Sequence, residues 1–211
     1  AEDLAKLIKG ANILHIPTNA GWTATVAGSG STSQAVTQCR TNTGATASSS
    51  GLLYTYTEGL ANQCSYDQFD WGKKTYLIFG CARNNSVATA IARFQLKQIE
   101  TEGALAAKGI GIRVDDWALV GESYGTGLGT VDLATSLSSA VEAQVVIIHD
   151  PSVPKIEWYV NGVLKGTQAT AAKIPSGVSS NYGFFVANIL NGATAASASW
   201  LVMRPTIWQA R

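Results

Sequence analysis

The stretch from Lys155 to Thr167 reads KIEWYVNGVLKGT, and it narrows the folds open to this chain more than any other segment. Ile156, Trp158 and Val160 alternate with Glu157 and Tyr159. Successive side chains of a β-strand point to opposite faces, so this spacing gathers three large apolar groups on one side. The run ends at Asn161-Gly162. That pair suits a two-residue type I′ turn, because both turn positions need φ > 0. A hairpin with one apolar face is therefore predicted. Such a hairpin is at best marginally stable alone in water, so further strands must cover it.

The rest of the sequence supplies them. Thr75, Leu77, Phe79 and Cys81 alternate with Lys74, Tyr76 and Ile78. Ala90, Ala92, Phe94 and Leu96 alternate with Ile91, Arg93, Gln95 and Lys97, and Asn84-Asn85 is the expected turn between these two runs. Ile110, Ile112 and Val114 alternate with Gly111 and Arg113. After Gln144 the run to His149 is almost continuously apolar, as expected of a central strand covered on both faces. Pro151 and Pro154 keep the following connection out of the sheet. Tyr182 to Leu190 reads as a further strand, and Trp200 to Met203 with Ile207-Trp208 as the last. Pro205 lacks an N–H, so it requires an edge position or a bulge there. Many short strands set off by turn residues, with no internal repeat, indicate an all-β sandwich or barrel.

The first quarter of the chain is different. From Gly21 to Ser50, Gly, Ser, Thr and Ala dominate. Gly28 to Ser31 and Ala47 to Gly51 read as turns or loops, anchored by Trp22, Val26 and Val36. Ahead of them, Glu2 to Lys9 has Leu4, Leu7 and Ile8 on one helical face, acids at its start, and Lys9-Gly10 at its end. So short a helix is unstable alone and must pack on the domain or on a partner. The expected organisation is an N-terminal arm or short helix over 1–20 and a single β-sandwich domain over 21–211.

Composition excludes several function classes. A domain of 211 residues buries roughly 70% of its unfolded surface, so it needs no metal or disulfide for stability. Charged residues make up 14% and the net charge is +1, against about 25% charged residues in ordinary domains. No basic surface for nucleic acid is expected. No apolar run reaches the ~18 residues of a membrane-spanning helix, so membrane insertion is not expected either. The opening AEDLAKLIKG lacks a charged-then-apolar leader pattern. The three cysteines, Cys39, Cys64 and Cys81, with His15 and His149, match no zinc spacing. An odd count leaves at least one thiol free. Buried thiols are the simpler reading, and a Cys39–Cys64 bridge is the alternative.

Val141 to Pro175 reads VEAQVVIIHDPSVPKIEWYVNGVLKGTQATAAKIP. An apolar strand ending in His-Asp, a hairpin with Tyr and Asn-Gly, and a tail ending in Ile-Pro together resemble the concanavalin A-like lectin/laminin-G jelly-roll superfamily. In pattern the resemblance extends over residues 70–208, where Thr75 to Leu96 is similar to the superfamily's paired central strands. It implies a two-sheet antiparallel jelly roll whose last strand returns beside the first. It also implies a ligand site on the concave face or at the loop edge. The superfamily includes lectins, glycanases, adhesion modules, and modules of virus particles and tail fibres.

A glycanase of this superfamily carries Glu-x-Asp-x-x-Glu on one strand, and no segment matches. Glu157 stands alone, and Glu100 and Glu102 lack a third acid. Gly121-Glu122-Ser123-Tyr124-Gly125 fits the G-x-S-x-G string, but a nucleophile elbow needs a helix to follow, and a flexible loop is expected instead. His149-Asp150 would point to opposite faces of a strand. The Gly125 to Gly129 string has neither the Lys nor the helix of a phosphate loop. No catalytic residue is expected. Asp115 and Asp116 are candidate calcium ligands by analogy with related lectins, against the simpler reading of solvated turn acids, and no cofactor is expected. Of six Trp, Trp71 and Trp117 lie beside turn residues and are the candidate sugar platforms, with core packing and a subunit contact as the competing readings.

The leading expectation is a non-catalytic structural protein of a virus particle, such as a capsid-decorating or tail-fibre component. It would be made in the host cytoplasm, reside in the virion, and contact other virion proteins and copies of itself through Leu4, Leu7, Ile8 and Trp208. The alternative is a carbohydrate-binding, lectin-like module, extracellular and directed at a cell-surface glycan.

Overall fold

In this computed structural model the residues described are 11–15, 23–34, 38–43, 48, 50–56, 70–85, 90–98, 103–138, 141–177, 184–191 and 198–210. They form an antiparallel two-sheet sandwich. The strands are β1 (Ala11–His15), β2 (Thr23–Ala27), β3 (Ser31–Gln34), β4 (Gln38–Asn42), β5 (Ser50–Tyr56), β6 (Thr75–Asn85), β7 (Ile91–Lys97) and β8 (Gly109–Asp115). They continue with β9 (Ala118–Tyr124), β10 (Leu128–Ser136), β11 (Ala143–Asp150), β12 (Lys155–Val160), β13 (Val163–Gln168), β14 (Phe184–Leu190) and β15 (Ser199–Ala210). An eight-stranded sheet runs β13-β12-β11-β6-β15-β4-β3, with β1 also on β15, and a seven-stranded sheet runs β10-β9-β8-β7-β14-β5-β2.

The predicted hairpin forms as expected. Val160 pairs with Val163 across Asn161 and Gly162, at φ 50° and 78°. Ile156, Trp158 and Val160 are buried between the sheets. There they meet Leu77, Phe79 and Cys81 of β6 and Ala92, Phe94 and Leu96 of β7. The aromatic rings interlock: Phe79 lies 5.7 Å from Phe94 and 5.6 Å from Phe185, and Phe94 lies 5.7 Å from Trp200. Trp158 also donates its Nε1–H to Gly111 O at 2.9 Å, which satisfies the one polar atom of a fully buried indole. Cys81 is a buried free thiol, pushed up to about 12 by burial, and is therefore inert as a nucleophile.

Several expectations are corrected. Asn84-Asn85 is not a turn: β6 continues through both residues, and Asn85 pairs with Ser199. β6 and β7 are not paired neighbours but belong to opposite sheets. β11 is an internal strand, yet its outer residues Gln144, Val146 and Ile148 are exposed or half-buried, so only one face is covered. The Gly/Ser/Thr/Ala stretch contains β2, β3 and β4, because backbone pairing, not side-chain hydrophobicity, holds these strands. Val26 is 48% exposed and anchors nothing, and Trp22 and Val36 lie outside the described residues. Within the stretch expected as an arm, Ala11–His15 pairs with Thr206 to Ala210 of β15. The predicted helix over Glu2 to Lys9 and the residue Cys64 lie outside the described residues. Pro205 does mark a bulge. The β15 register shifts between Met203 and Thr206, where the strand leaves β4 and takes up β1.

Gly121 shows how tightly the sheets meet. A Cβ there would lie 2.7 Å from the Trp158 ring. Gly121→Ala should destabilise the domain by about 1–3 kcal/mol through overpacking. A lowered urea midpoint at unchanged slope is the expected result.

Candidate functional site on the outer face of the seven-stranded sheet

The alternation that buries Ala92, Phe94 and Leu96 turns Arg93, Gln95 and Lys97 to the other face of β7. Register then fixes their neighbours. Arg93 stands opposite Asn188 of β14 on one side and Arg113 of β8 on the other. Gln95 stands opposite Gly111, which pairs with Glu122 of β9. These side chains form a polar network on the face turned away from the core. Glu122, 0% exposed, is its centre. Its Oε2 accepts a 2.6 Å hydrogen bond from Gln95 Nε2. Its Oε1 lies 3.5 Å from Arg113 Nη1 and 3.6 Å from Arg93 Nε. Arg113 also holds Asp115 Oδ2 through Nε at 2.9 Å and Nη2 at 2.8 Å.

Gly111 makes the central bond available. It sits in the column between Gln95 and Glu122, and a Cβ there would come within 2.8 Å of Gln95 Cγ. Without that side chain, Gln95 reaches across the strand to the carboxylate. Buried ions persist only when paired and hydrogen-bonded, and Glu122 meets that condition with donors from β7 and β8. The face grades from closed to open. Arg93, Gln95, Lys97 and Asn188 are buried, the Arg113 and Asp115 side chains are partly exposed, and Leu128, Thr130 and Asp132 on edge strand β10 are exposed.

The residues singled out from sequence fall elsewhere. Trp71 is 1% exposed and lies in the core, edge-on to His149 at 5.6 Å, so it offers no free ring to a sugar. Trp117 is half-buried at the tip of the β8–β9 hairpin, with the Arg83 guanidinium 4.1 Å above its ring. That cation–π contact takes one of its two faces. Asp116 adopts φ 54° in the same turn and accepts from Arg83 Nη1 at 3.2 Å. Arg83 thus clasps this hairpin to the opposite sheet. With Asp115 bound by Arg113 and Asp116 by Arg83, the two candidate calcium ligands face arginines. Among the described residues no group of three or more His, Cys, Asp or Glu side chains could hold a metal ion. Trp208 is half-buried on the outer face of the eight-stranded sheet, edge-on to Tyr76 at 4.8 Å. Leu4, Leu7 and Ile8, like Glu100 and Glu102, lie outside the described residues.

The G-x-S-x-G string is neither an elbow nor a loop. Ser123 lies inside β9 and is fully buried. His149 is buried while the adjacent Asp150 faces outward to Lys74 Nζ at 3.0 Å, as strand geometry requires. Glu157 pairs with Lys155 at 2.8 Å. The polar network itself was missed from sequence. Its signal was the polar half of the β7 alternation, which reads as a solvated face unless the burial of Arg93, Gln95 and Lys97 is known.

This architecture is the concanavalin A-like jelly-roll sandwich. Solved structures with the same fold include the Emp47p carbohydrate recognition domain, at TM-score 0.61 and 14% identity over 96% of this chain and 98% of that one. The Bacillus licheniformis β-glucanase gives TM-score 0.60 and 15% identity over 96% and 98%. The endo-β-1,4-glucuronan lyase of the fungus Trichoderma reesei gives TM-score 0.60 and 10% identity over 92% and 93%. At these identities the likeness is one of fold, and it embraces both enzymes and a recognition domain. No protein-family model and no curated protein matches the sequence.

His149 supplies a pH test of the core. Its Nε2 lies 2.8 Å from Pro175 O. A carbonyl only accepts, so Nε2 carries the proton. Burial holds the imidazole below its ordinary 6.5. Below that pH the unfolded chain binds a proton that the folded chain refuses, so stability is complete above about pH 6.5 and falls as the pH drops through the window beneath it. Urea midpoints at pH 7.5 and 5.5 should fall further for the native protein than for His149→Gln, which cannot titrate.

Proposed function

We propose that this chain is a non-catalytic glycan-binding module and that its ligand lies across the outer face of the seven-stranded sheet. One observation carries the reading: Arg93, Gln95, Arg113, Glu122 and Asn188 converge on a single sheet face outside the core. Planar amides, guanidinium groups and a carboxylate offer the mixture of donors and acceptors that sugar hydroxyls need. The Emp47p domain, a carbohydrate recognition domain with this fold, supports the reading.

The engagement of Glu122 favours binding over hydrolysis. Glycoside hydrolysis takes two carboxyl groups that meet the substrate, one of them as a proton donor. Both oxygens of Glu122 already face protein donors, one from Gln95 and one from two guanidinium groups. Asp115, on the same face, is bound by Arg113. The virion-assembly reading gains no support from the similar structures; of its expected contacts, Leu4, Leu7 and Ile8 lie outside the described residues, and Trp208 is half-buried against Tyr76.

A glycan array with the native protein and Arg113→Ala tests the proposal. Arg113 is one of the donors to the buried Glu122, so its loss should lower the melting temperature, and retention is compared at a temperature where both proteins are folded. Glycan retention should fall at least tenfold. A native protein that retains no glycan would overturn the binding role, and release of shortened or unsaturated sugars would overturn the non-catalytic part.

A further inference from the structure

The closed end of this face holds polar atoms without partners. Asn188 is 1% exposed, and neither its Nδ2 nor its Oδ1 has a hydrogen bond. Because both ends of the amide are bare, exchanging them changes nothing. Gln95 Oε1 is also buried and bare. Its assignment is fixed, since the carboxylate of Glu122 only accepts and must face the amide nitrogen. Arg93 Nε, opposite Asn188 in register, stands 3.6 Å from Glu122 Oε1, beyond hydrogen-bond reach. Native proteins pair nearly all buried polar atoms, and here four atoms without a hydrogen bond, one of them the ion-paired Arg93 Nε, share two neighbouring columns of one sheet face.

Resting on the glycan reading, we infer that Asn188, Gln95 and Arg93 form a subsite for neutral sugar hydroxyls. The atom types decide the class. Asn188 Nδ2 and Arg93 Nε donate, while Asn188 Oδ1 and Gln95 Oε1 accept. A hydroxyl both donates and accepts, so a pair of hydroxyls satisfies the whole set. A carboxylate would satisfy the donors and face two carbonyl oxygens, which repel it. A neutral glycan is therefore favoured over a uronate. Arg93 on β7 and Arg113 on β8 stand between Asn188 on β14 and the exposed residues of edge strand β10. Their longer contacts to Glu122 make them the side chains that move as the sugar enters.

The experiment compares native protein, Asn188→Leu and Asn188→Ala by calorimetric titration with a neutral hexose oligosaccharide and a uronate oligosaccharide of equal length. The neutral ligand should bind the native protein more tightly, and both variants should lose at least tenfold in its affinity. The leucine variant, close to Asn in volume, should keep a melting temperature near that of the native protein, because an orphaned amide contributes no bond to the fold, and the alanine variant should lose only what its cavity costs. Equal affinity for the neutral ligand in native and variant proteins would overturn the subsite and leave the glycan reading intact. Preference for the uronate would overturn the assigned class. Should neither variant fold, the native side-chain amide signals decide the matter by nuclear magnetic resonance. A shift of a buried Asn amide pair on adding the neutral sugar supports the subsite, and unchanged signals overturn it. Absence of binding by either sugar would remove the glycan reading and the subsite with it.

Discussion

The indole of Trp158 governs how the two sheets stand against each other. It projects from β12, donates to the carbonyl of Gly111 on β8, and fills the space that Gly121 leaves on β9. Through this side chain one sheet is tied to two strands of the other. The same two strands present Arg113 and Glu122 on their far side. A shift of the core at Trp158 would therefore be felt in the polar network as a change in strand register or spacing. Packing density makes that coupling stiff, since a close-packed interior transmits displacement and does not absorb it.

The network is built at some expense to stability. A carboxylate removed from water loses more in hydration than a surface ion pair returns, and only several well-placed donors make its burial tolerable. Glu122 has such donors, yet two of them stand at 3.5 and 3.6 Å, longer than the 2.7–2.9 Å of a good charge-assisted bond. An apolar face would be simpler to stabilise. Polar groups held close to each other, but not saturated, are what a binding surface requires, and such surfaces are commonly less stable than the sequence could make them.

The parts legible in the sequence were those where side-chain period and turn chemistry agree. The β12–β13 hairpin is the clearest, with its alternating apolar face and Asn161-Gly162 turn. The bulge at Pro205 was readable because a missing N–H leaves few positions in a sheet. Strands β2 to β4 were hidden, because Ser, Thr and Ala carry no period and the pairing that holds them is made by the backbone. Asn84-Asn85 misled because a turn-forming pair can also end a long strand when a neighbour, here β15, supplies the ladder. Trp71 misled for a related reason: its sequence neighbours are turn residues, while its ring is claimed by His149 and the core. The network on β7, β8, β9 and β14 depends on cross-strand register, and no local pattern specifies which polar residues stand opposite one another.

One further contact bears on how such a sandwich behaves in concentrated solution. The outermost strand of each sheet on one side, β10 and β13, lean together, with Val131 and Leu133 seated where Gly166 has no side chain. Bare sheet edges are templates for recruiting strands from other molecules. Here one edge shelters the other. On the opposite side the eight-stranded sheet ends in β3, only four residues long and made of Ser, Thr, Ser and Gln. Short polar edges of that kind recruit poorly, so apposition guards the β10 and β13 edges of the sandwich and brevity guards the β3 edge.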